Sequence, residues 1–341
     1  MMANHDIIVV GASMGGIKAL STLVAQLPAD LPAAIFVVQH VSPESPSMLP
    51  HILQRAGALP AKAAEHGERI EQGCIYVAPP NHHLLVMEGH VHLSRGPREN
   101  RTRPAVDPLF RSAAVAYGAR VVGVILSGYL DDGTAGLLAV KRCGGVAVVQ
   151  EPSDAAYPDM PQSAIDNVDV DHSLPLAQMG QLLAQLARQP AGESPPVPEA
   201  IRHEVAISQS ATSSMNLEEK MGELAPIVCP ECGGSLWQID DQVPRYRCHV
   251  GHAYTLRSLL AGQDEALEQA LWAALRALQE RERLLKIMVR DERKNGREKS
   301  AAIYIERLAQ VQGHVQQLQG LLFGGDLEIR DSPISDPQNR R

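Results

Sequence analysis

Short apolar runs rich in Val and Ile alternate with helix-period patterns through the first half of the chain. The runs at 7–10, 34–39, 74–78, 84–87, 121–127 and 145–150 are continuous rather than alternating, as are strands buried on both faces of a parallel sheet. Helical patterns at 17–26, 47–56, 108–117 and 132–143 follow several of them and leave room for right-handed crossovers. The expected architecture over 1–187 is α/β, a doubly wound, mainly parallel, Rossmann-like sheet whose ligands sit beyond the carboxyl ends of its strands.

Beyond 187 the pattern changes. The breaker-rich string Gln189-Pro190-Ala191-Gly192-Glu193-Ser194-Pro195-Pro196-Val197-Pro198 reads as an extended linker, assigned to 188–225, and the small polar residues 208–214 suggest that its mobility continues. A cysteine-bearing module is expected over 226–260. Two helical patterns follow, 263–290 and 297–323, separated by Lys294-Asn295-Gly296. In the second, Ala301, Tyr304, Leu308, Val311, Val315, Leu318 and Leu322 form a heptad seam, and Leu267, Leu271, Ala274, Leu278, Leu285 and Met288 make a comparable stripe on the first. These stripes can close as an antiparallel α-helical hairpin over 261–324 or pair between chains in a homodimer. The tail, 325–341, is expected to be disordered.

With 341 residues and 45% hydrophobic content, two or three domains are expected. A formal charge of -8 argues against a general nucleic-acid binder. Neither a secretory start nor an apolar stretch long enough to cross a bilayer is visible, so a cytoplasmic chain without membrane insertion is expected. Of the five cysteines, Cys74 and Cys143 stand alone and read as small buried apolar residues. The other three are grouped. Cys229-Pro230-Glu231-Cys232-Gly233-Gly234 and Arg247-Cys248-His249-Val250-Gly251-His252 supply two halves of a tetrahedral site. Cys229, Cys232, Cys248 and His252 are the candidate ligands, with His249 the rival fourth; a redox pair or unligated thiols are the alternatives to a structural zinc. A closed site of this kind holds a fold together and leaves no water for chemistry. Trp237, Tyr246 and Tyr254 are expected to pack around it.

The candidate chemistry begins at Ile7 to Gly16, where an apolar run ends in Gly11-Ala12-Ser13-Met14-Gly15 before a helical pattern. This is the nucleophile-elbow pattern, in which small neighbours let a serine hydroxyl stand clear beside the free amides of a helix start. Strand, glycine turn and helix also build the phosphate corner of dinucleotide folds, or plain structure; here Ser13 occupies the second glycine's place and would obstruct a pyrophosphate. His40 ends the run 34–39, and Asp131-Asp132 follow the run 121–127. Singly these are a surface histidine and helix N-caps, or for the acids a Mg²⁺ site. Together, three strand ends offer a serine, a base and a carboxylate. Their chain order, Ser, His, Asp, disfavours the α/β-hydrolases.

Five ordered blocks, V-V-G-A-S-M-G-G-I-K-A-L, F-V-V-Q-H, N-R-T-R-P-A-V-D-P-L-F-R-S, G-V-I-L-S-G-Y-L-D-D-G-T-A-G-L and M-P-Q-S-A-I, resemble the catalytic domain of chemotaxis protein-glutamate methylesterases, the CheB family, over about residues 5 to 187. The resemblance implies Ser13 as nucleophile, His40 as general base, Asp132 as the carboxylate orienting it, and Asp131 as a neighbour or cap. It implies hydrolysis of a glutamate γ-methyl ester to methanol, with glutamine deamidation as a related activity and no cofactor for catalysis. The substrate implied is the cytoplasmic region of a methylated chemoreceptor, or another methylated signalling protein. Oxyanion donors are expected near Met14 and Tyr129, through backbone N–H groups. Asn100, Arg101, Arg103 and Asp107 match the family's active-site rim; Arg101 and Arg103 would pair with acidic groups flanking the substrate or with carboxylates of this chain. Members coupled to phosphorylation usually begin with a receiver domain, whereas this chain opens on the esterase strand, so control by its own aspartyl phosphate is not expected. Met14 and Tyr129-Leu130 stand where a threonine and a Met-Gly pair are common, which leaves the protein substrate open. The rival reading is a non-catalytic regulatory or peptide-binding protein on the same fold, docked through the zinc module.

Overall fold

Residues 7–12 are buried throughout because their alternate side chains enter two different helix layers. In the computed structural model, which describes residues 3–209, 222–240 and 243–323, β1 (Ile7–Ala12) leads through α1 (Gly16–Val24) to β2 (Ala34–Gln39), α2 (Leu49–Ala56), β3 (Ala61–Ala63) and β4 (Ile75–Val77). The hairpin β5 (His83–Met87) and β6 (His90–Ser94) precedes α3 (Val106–Tyr117), β7 (Val121–Ile125), α4 (Thr134–Arg142), β8 (Val146–Gln150), α5 (Asp159–Asn167), β9 (His172–Leu174) and α6 (Leu176–Leu186). The parallel sheet runs β3-β4-β2-β1-β7-β8-β9.

Ile7, Val9, Phe36 and Val38 pack with Leu109 and Phe110 of α3 and Leu137 of α4. On the opposite face, Ile8, Val10, Ile35 and Val37 pack with Leu20 and Leu23 of α1, Leu53 of α2 and Leu183 of α6. The expected doubly wound sheet is therefore present. Ile7 stands in register with both Ala34 and Val121, so β2, β1 and β7 deliver their carboxyl ends side by side. The run at 84–87 differs from expectation: it pairs antiparallel with β6 outside the main sheet. β3 and β9, Ala-Lys-Ala and His-Ser-Leu, are too short to show a hydrophobic period.

The breaker-rich stretch is docked rather than free. Ala191 N donates to Ala3 O (2.8 Å), Ala119 N donates to Ser194 Oγ (2.9 Å), and α7 (Glu199–Gln209) follows with Ile201 and Val205 buried. Proline removes backbone donors, but it does not prevent an extended segment from lying against a domain. Most of the expected mobile segment 208–214, and the tail 325–341, lie outside the described residues.

β10 (Glu223–Val228), β11 (Ser235–Asp240), β12 (Arg245–Cys248) and β13 (Ala253–Thr255) form an antiparallel meander inside the same compact unit, Met1–Leu260. A buried ion cluster ties it there. Glu99 receives Arg111 of α3 and Arg247 of β12 (3.2 Å), while Glu204 of α7 receives Arg245 (2.9 Å) and Arg247 (3.0 Å). Burial alone would push the Glu99 carboxyl up; the surrounding guanidinium groups outweigh it and hold Glu99 far below the ordinary carboxylate range.

The second unit, Ala261–Arg341, contains most of α8 (Leu256–Lys294) and all of α9 (Glu298–Phe323). The helices run antiparallel, since Gln312 Nε2 donates to Glu282 Oε1 (2.9 Å) and the Trp272 and Phe323 rings meet edge-on at 5.6 Å. The seam read on α9 is occupied within the chain, around Val311 and Val315. On α8 the partners are Leu275, Leu278 and Leu285, whereas Leu267 and Met288 are exposed, so the expected stripe is displaced there.

Glu99→Gln should destabilise the chain by about 3–5 kcal/mol, because it leaves buried guanidinium charge without its partner. A lowered carboxyl pKa contributes stability that is complete above the unfolded value, about 4.3, and is lost as pH falls through the folded value. The melting-temperature gap between wild type and variant is thus expected to persist from neutral pH to about pH 5 and to narrow only on stronger acidification.

Candidate functional site

β1 ends in a turn pinned from both neighbouring strands. Ser13 N donates to Ser127 O (3.0 Å), and Gln39 Nε2 donates to Ser13 O (2.7 Å) and His40 O (3.1 Å). Ser127 Oγ donates to Met14 O (2.9 Å) and accepts from Tyr157 N (2.9 Å). Gly15 has φ 76°, a left-handed conformation that glycine adopts without cost. At Gly128, beside this turn, a Cβ would overlap Met160 Sδ and come within 2.7 Å of Ser13 Cβ.

Ser13 Oγ stands 3.0 Å from His40 Nδ1, and His40 Nε2 stands 2.7 Å from Asp132 Oδ2. An ionised carboxylate only accepts, so the Nε2 proton belongs to the Asp132 bond and Nδ1 is left to accept from the serine hydroxyl. Asp132 is buried, which by itself would raise its pKa; hydrogen bonds from His40, Val106 N (2.7 Å) and Asn100 Nδ2 (2.8 Å) reverse that and hold it low.

Neither member of the Asp131-Asp132 pair places its side chain as a cap on α4. Asp132 instead accepts from Val106 N and Asp107 N in the first turn of α3. Asp107 of α3 returns the arrangement by accepting from Gly133 N (3.1 Å) and Gly136 N at the start of α4 (2.6 Å). The Asn100 amide spans the two carboxylates, donating 2.9 Å to Asp107 and 2.8 Å to Asp132. Burial and the nearby Asp132 charge push the Asp107 carboxyl up. Asp131 accepts from Thr255 Oγ1 (2.6 Å), and burial pushes it up to about 6.

The other expected rim residues divide. Met14, half exposed, lines an open cleft of about 880 Å³ with Ser13, Ile17, Lys18 and His40. Tyr129 is half exposed and packs on Tyr157, ring centres 4.6 Å apart. Arg101 is half-buried in left-handed backbone beside Asn100. Arg103 pairs with no carboxylate among the described residues, one of the two partners expected for it, and donates instead to Asn81 Oδ1 (2.7 and 3.0 Å) and to the carbonyls of Arg95 and Gly96. A guanidinium fork fits such converging oxygens, and the positive φ of Asn81 helps present one. Gln39 and Ser127, which hold the serine turn, went unread in the sequence; Gln39 offers only the signal of a polar residue ending an apolar strand.

Cys229, Cys232, Cys248 and His252 converge, with their ligand atoms all within 4.8 Å of one another. Cys232 Sγ–Cys248 Sγ is 3.7 Å, and His252 Nδ1 lies 3.7 Å from Cys229 Sγ and 3.6 Å from Cys248 Sγ. Tetrahedral zinc bonds of about 2.3 Å to sulfur and 2.0–2.1 Å to nitrogen imply edges of about 3.8 and 3.6 Å, so the residues fit the ion. His252 Nε2 faces Glu231 Oε2 at 3.5 Å, the second partner a metal-bound imidazole commonly has. His249 is exposed, its ring against Gly234. Tyr254 is buried on Cys229, while Trp237 and Tyr246 are half-buried.

A family model described as CheB methylesterase matches residues 8–183. A putative protein-glutamate methylesterase/protein-glutamine glutaminase of Leptospira interrogans (serovar copenhageni) is 40% identical over 184 residues, covering 54% of this chain and 95% of its own. Protein-glutamate methylesterase/protein-glutamine glutaminase 2 of Methanosarcina acetivorans is 37% identical over 192 residues, 54% of this chain and 54% of its own. The crystal structure of the Thermotoga maritima CheB methylesterase catalytic domain superposes with a TM-score of 0.52 at 34% identity, covering 55% of this chain and 100% of that one.

Metal analysis of the purified chain should find zinc near one equivalent, reduced to background in Cys248→Ser. Chelation should lower the melting temperature of wild type and leave that of the variant unchanged.

Proposed function

The chain belongs to the CheB methylesterase family, and from that membership and its serine site we propose that it is a protein-glutamate methylesterase, hydrolysing glutamate γ-methyl esters of a methylated chemoreceptor, or of another methylated signalling protein, on the cytoplasmic side. The observation that carries the reading is the continuous line Ser13 Oγ···His40···Asp132, at 3.0 and 2.7 Å.

His40 Nδ1 takes the Ser13 proton as Oγ attacks the ester carbonyl, while Asp132 holds the imidazole through Nε2. The oxyanion is assigned to the turn that opens α1, with the Met14 amide and donors around Tyr129 to meet it. His40 returns the proton to methoxide, methanol leaves, and water, activated by the same imidazole, releases glutamate and restores Ser13. A receptor glutamine follows the same course with ammonia as the leaving group. Arg101, at the rim, is assigned to the substrate side. Zinc held by Cys229, Cys232, Cys248 and His252 would use all four ligand positions and supply structure to the β10–β13 module. Residues 1–187 are assigned as the catalytic part, and 226–260 as a module built onto it.

Ser13→Ala should cut methanol release from methylated receptor membranes by about 10⁴-fold or more, and Asp132→Asn by about 10³- to 10⁴-fold, with unchanged melting temperature for Ser13→Ala. The double variant Ser13→Ala/His40→Ala should be no worse than Ser13→Ala. Undiminished release by Ser13→Ala would sink the assignment.

A further inference from the structure

We propose that Thr255 and Ser258 are positioning residues of the esterase site: they hold Asn100, and through it Asp132, so that the C-terminal module completes the catalytic line. This rests on the esterase reading above. Both residues lie outside the segment matched to the family model, 8–183.

Thr255-Leu256-Arg257-Ser258 opens α8 with a reciprocal box. Ser258 N donates to Thr255 Oγ1 (3.2 Å), and Thr255 N donates to Ser258 Oγ (2.9 Å). Each hydroxyl keeps one proton. That of Thr255 goes to Asp131 Oδ1 (2.6 Å), and that of Ser258 has Asn100 Oδ1 (3.0 Å) as its nearer acceptor and Thr255 O (3.2 Å) as its farther one; Asn100 Oδ1 also accepts from Thr255 N (3.2 Å). With its oxygen committed to this box, the Asn100 NH₂ faces the other way, one proton to Asp107 and one to Asp132.

Thr255 is 2% exposed, Ser258 0% and Asn100 7%, so water cannot take over a lost partner. The loop also needs holding. Asn100 and Arg101 have φ of 49° and 66°, a left-handed pair that asparagine tolerates but that costs about 1–2 kcal/mol at Arg101. β13 supplies the hold, with Asn100 N donating to Ala253 O (2.8 Å) and Ala253 N to Arg98 O (3.2 Å). Released from the box, Asn100 can turn its amide, and Asp132 then loses a donor and its fixed aim at His40. Neither residue is among the described residues lining the cleft around Ser13, so their loss is expected in kcat rather than in KM.

Full-length Thr255→Val and Ser258→Ala are compared with the conservative Thr255→Ser and Ser258→Thr. Methanol release is followed by steady-state kinetics, and the low-field His40 Nε2–H proton resonance by NMR. The expected result is a kcat reduced about 10- to 100-fold with KM within about twofold, a shifted or broadened imidazole resonance, and substantial recovery of both by Thr255→Ser. Unchanged kcat, an equal loss in Thr255→Ser, or a loss that tracks melting temperature with the resonance unmoved would overturn the proposal. Should wild type itself release no methanol, the esterase reading fails, while the resonance still decides whether the box positions His40.

Discussion

Two buried helix starts that cap each other set the constraint from which the site follows. Each α-helix begins with amides that have no partner in their own helix, and in a closed core they must find one elsewhere. Asp132 serves α3 and Asp107 serves α4, with Asn100 donating to both. Two buried carboxylates this close would ordinarily repel. The amides and the bridging asparagine make the arrangement tolerable, and in doing so they leave Asp132 ionised, immobile and aimed at His40. The carboxylate that keeps two helices together is thereby the one that fixes the imidazole tautomer.

The sheet supplies the rest of the alignment. With β1 between β2 and β7 in matching register, a residue just past each strand end is within side-chain reach of the others. Small residues are then required where backbones crowd: a side chain at Gly128 would displace Met160 or Ser13 itself. The buried Glu99 and Glu204 cluster applies similar logic on a larger scale, since Arg245 and Arg247 reach their carboxylates only when β12 is seated beside α3 and α7. A cluster of this kind contributes less to net stability than its charges suggest, but it penalises any other docking of the module strongly.

Features of the site were legible where they depended on neighbours in sequence. Ser13 and His40 could be singled out because each follows an apolar run, and the Asp131-Asp132 pair because it lies beyond the run 121–127, runs buried on both faces being visible as unbroken Val and Ile; the choice of Asp132 within the pair came only from the resemblance to the family. Cys229, Cys232 and Cys248 were visible from spacing alone. His252 was read ahead of His249 as the fourth ligand, but spacing kept His249 in play, because the outcome depends on which side chain the β12–β13 hairpin turns inward. The surroundings of Arg103 were not legible for a similar reason: a guanidinium donates to amide and carbonyl oxygens as well as to carboxylates, and nothing local says that Asn81 and the Arg95-Gly96 carbonyls surround it. The proline-rich stretch showed that regular structure stops, but composition does not report whether an irregular segment is docked.

What the sequence by itself determined is the longer buried strands and helices of the first half, the helical pair at the end, and the chemically able residues beyond the strand ends, because hydrophobic period and glycine placement act over a few residues. Tertiary structure alone decided which carboxylate caps which helix, that His252 converges with the three cysteines, and that Thr255 and Ser258 stand against Asn100, more than 150 positions away. Hydrogen bonds between such distant groups exist only after both backbones are in place, and no local propensity anticipates them.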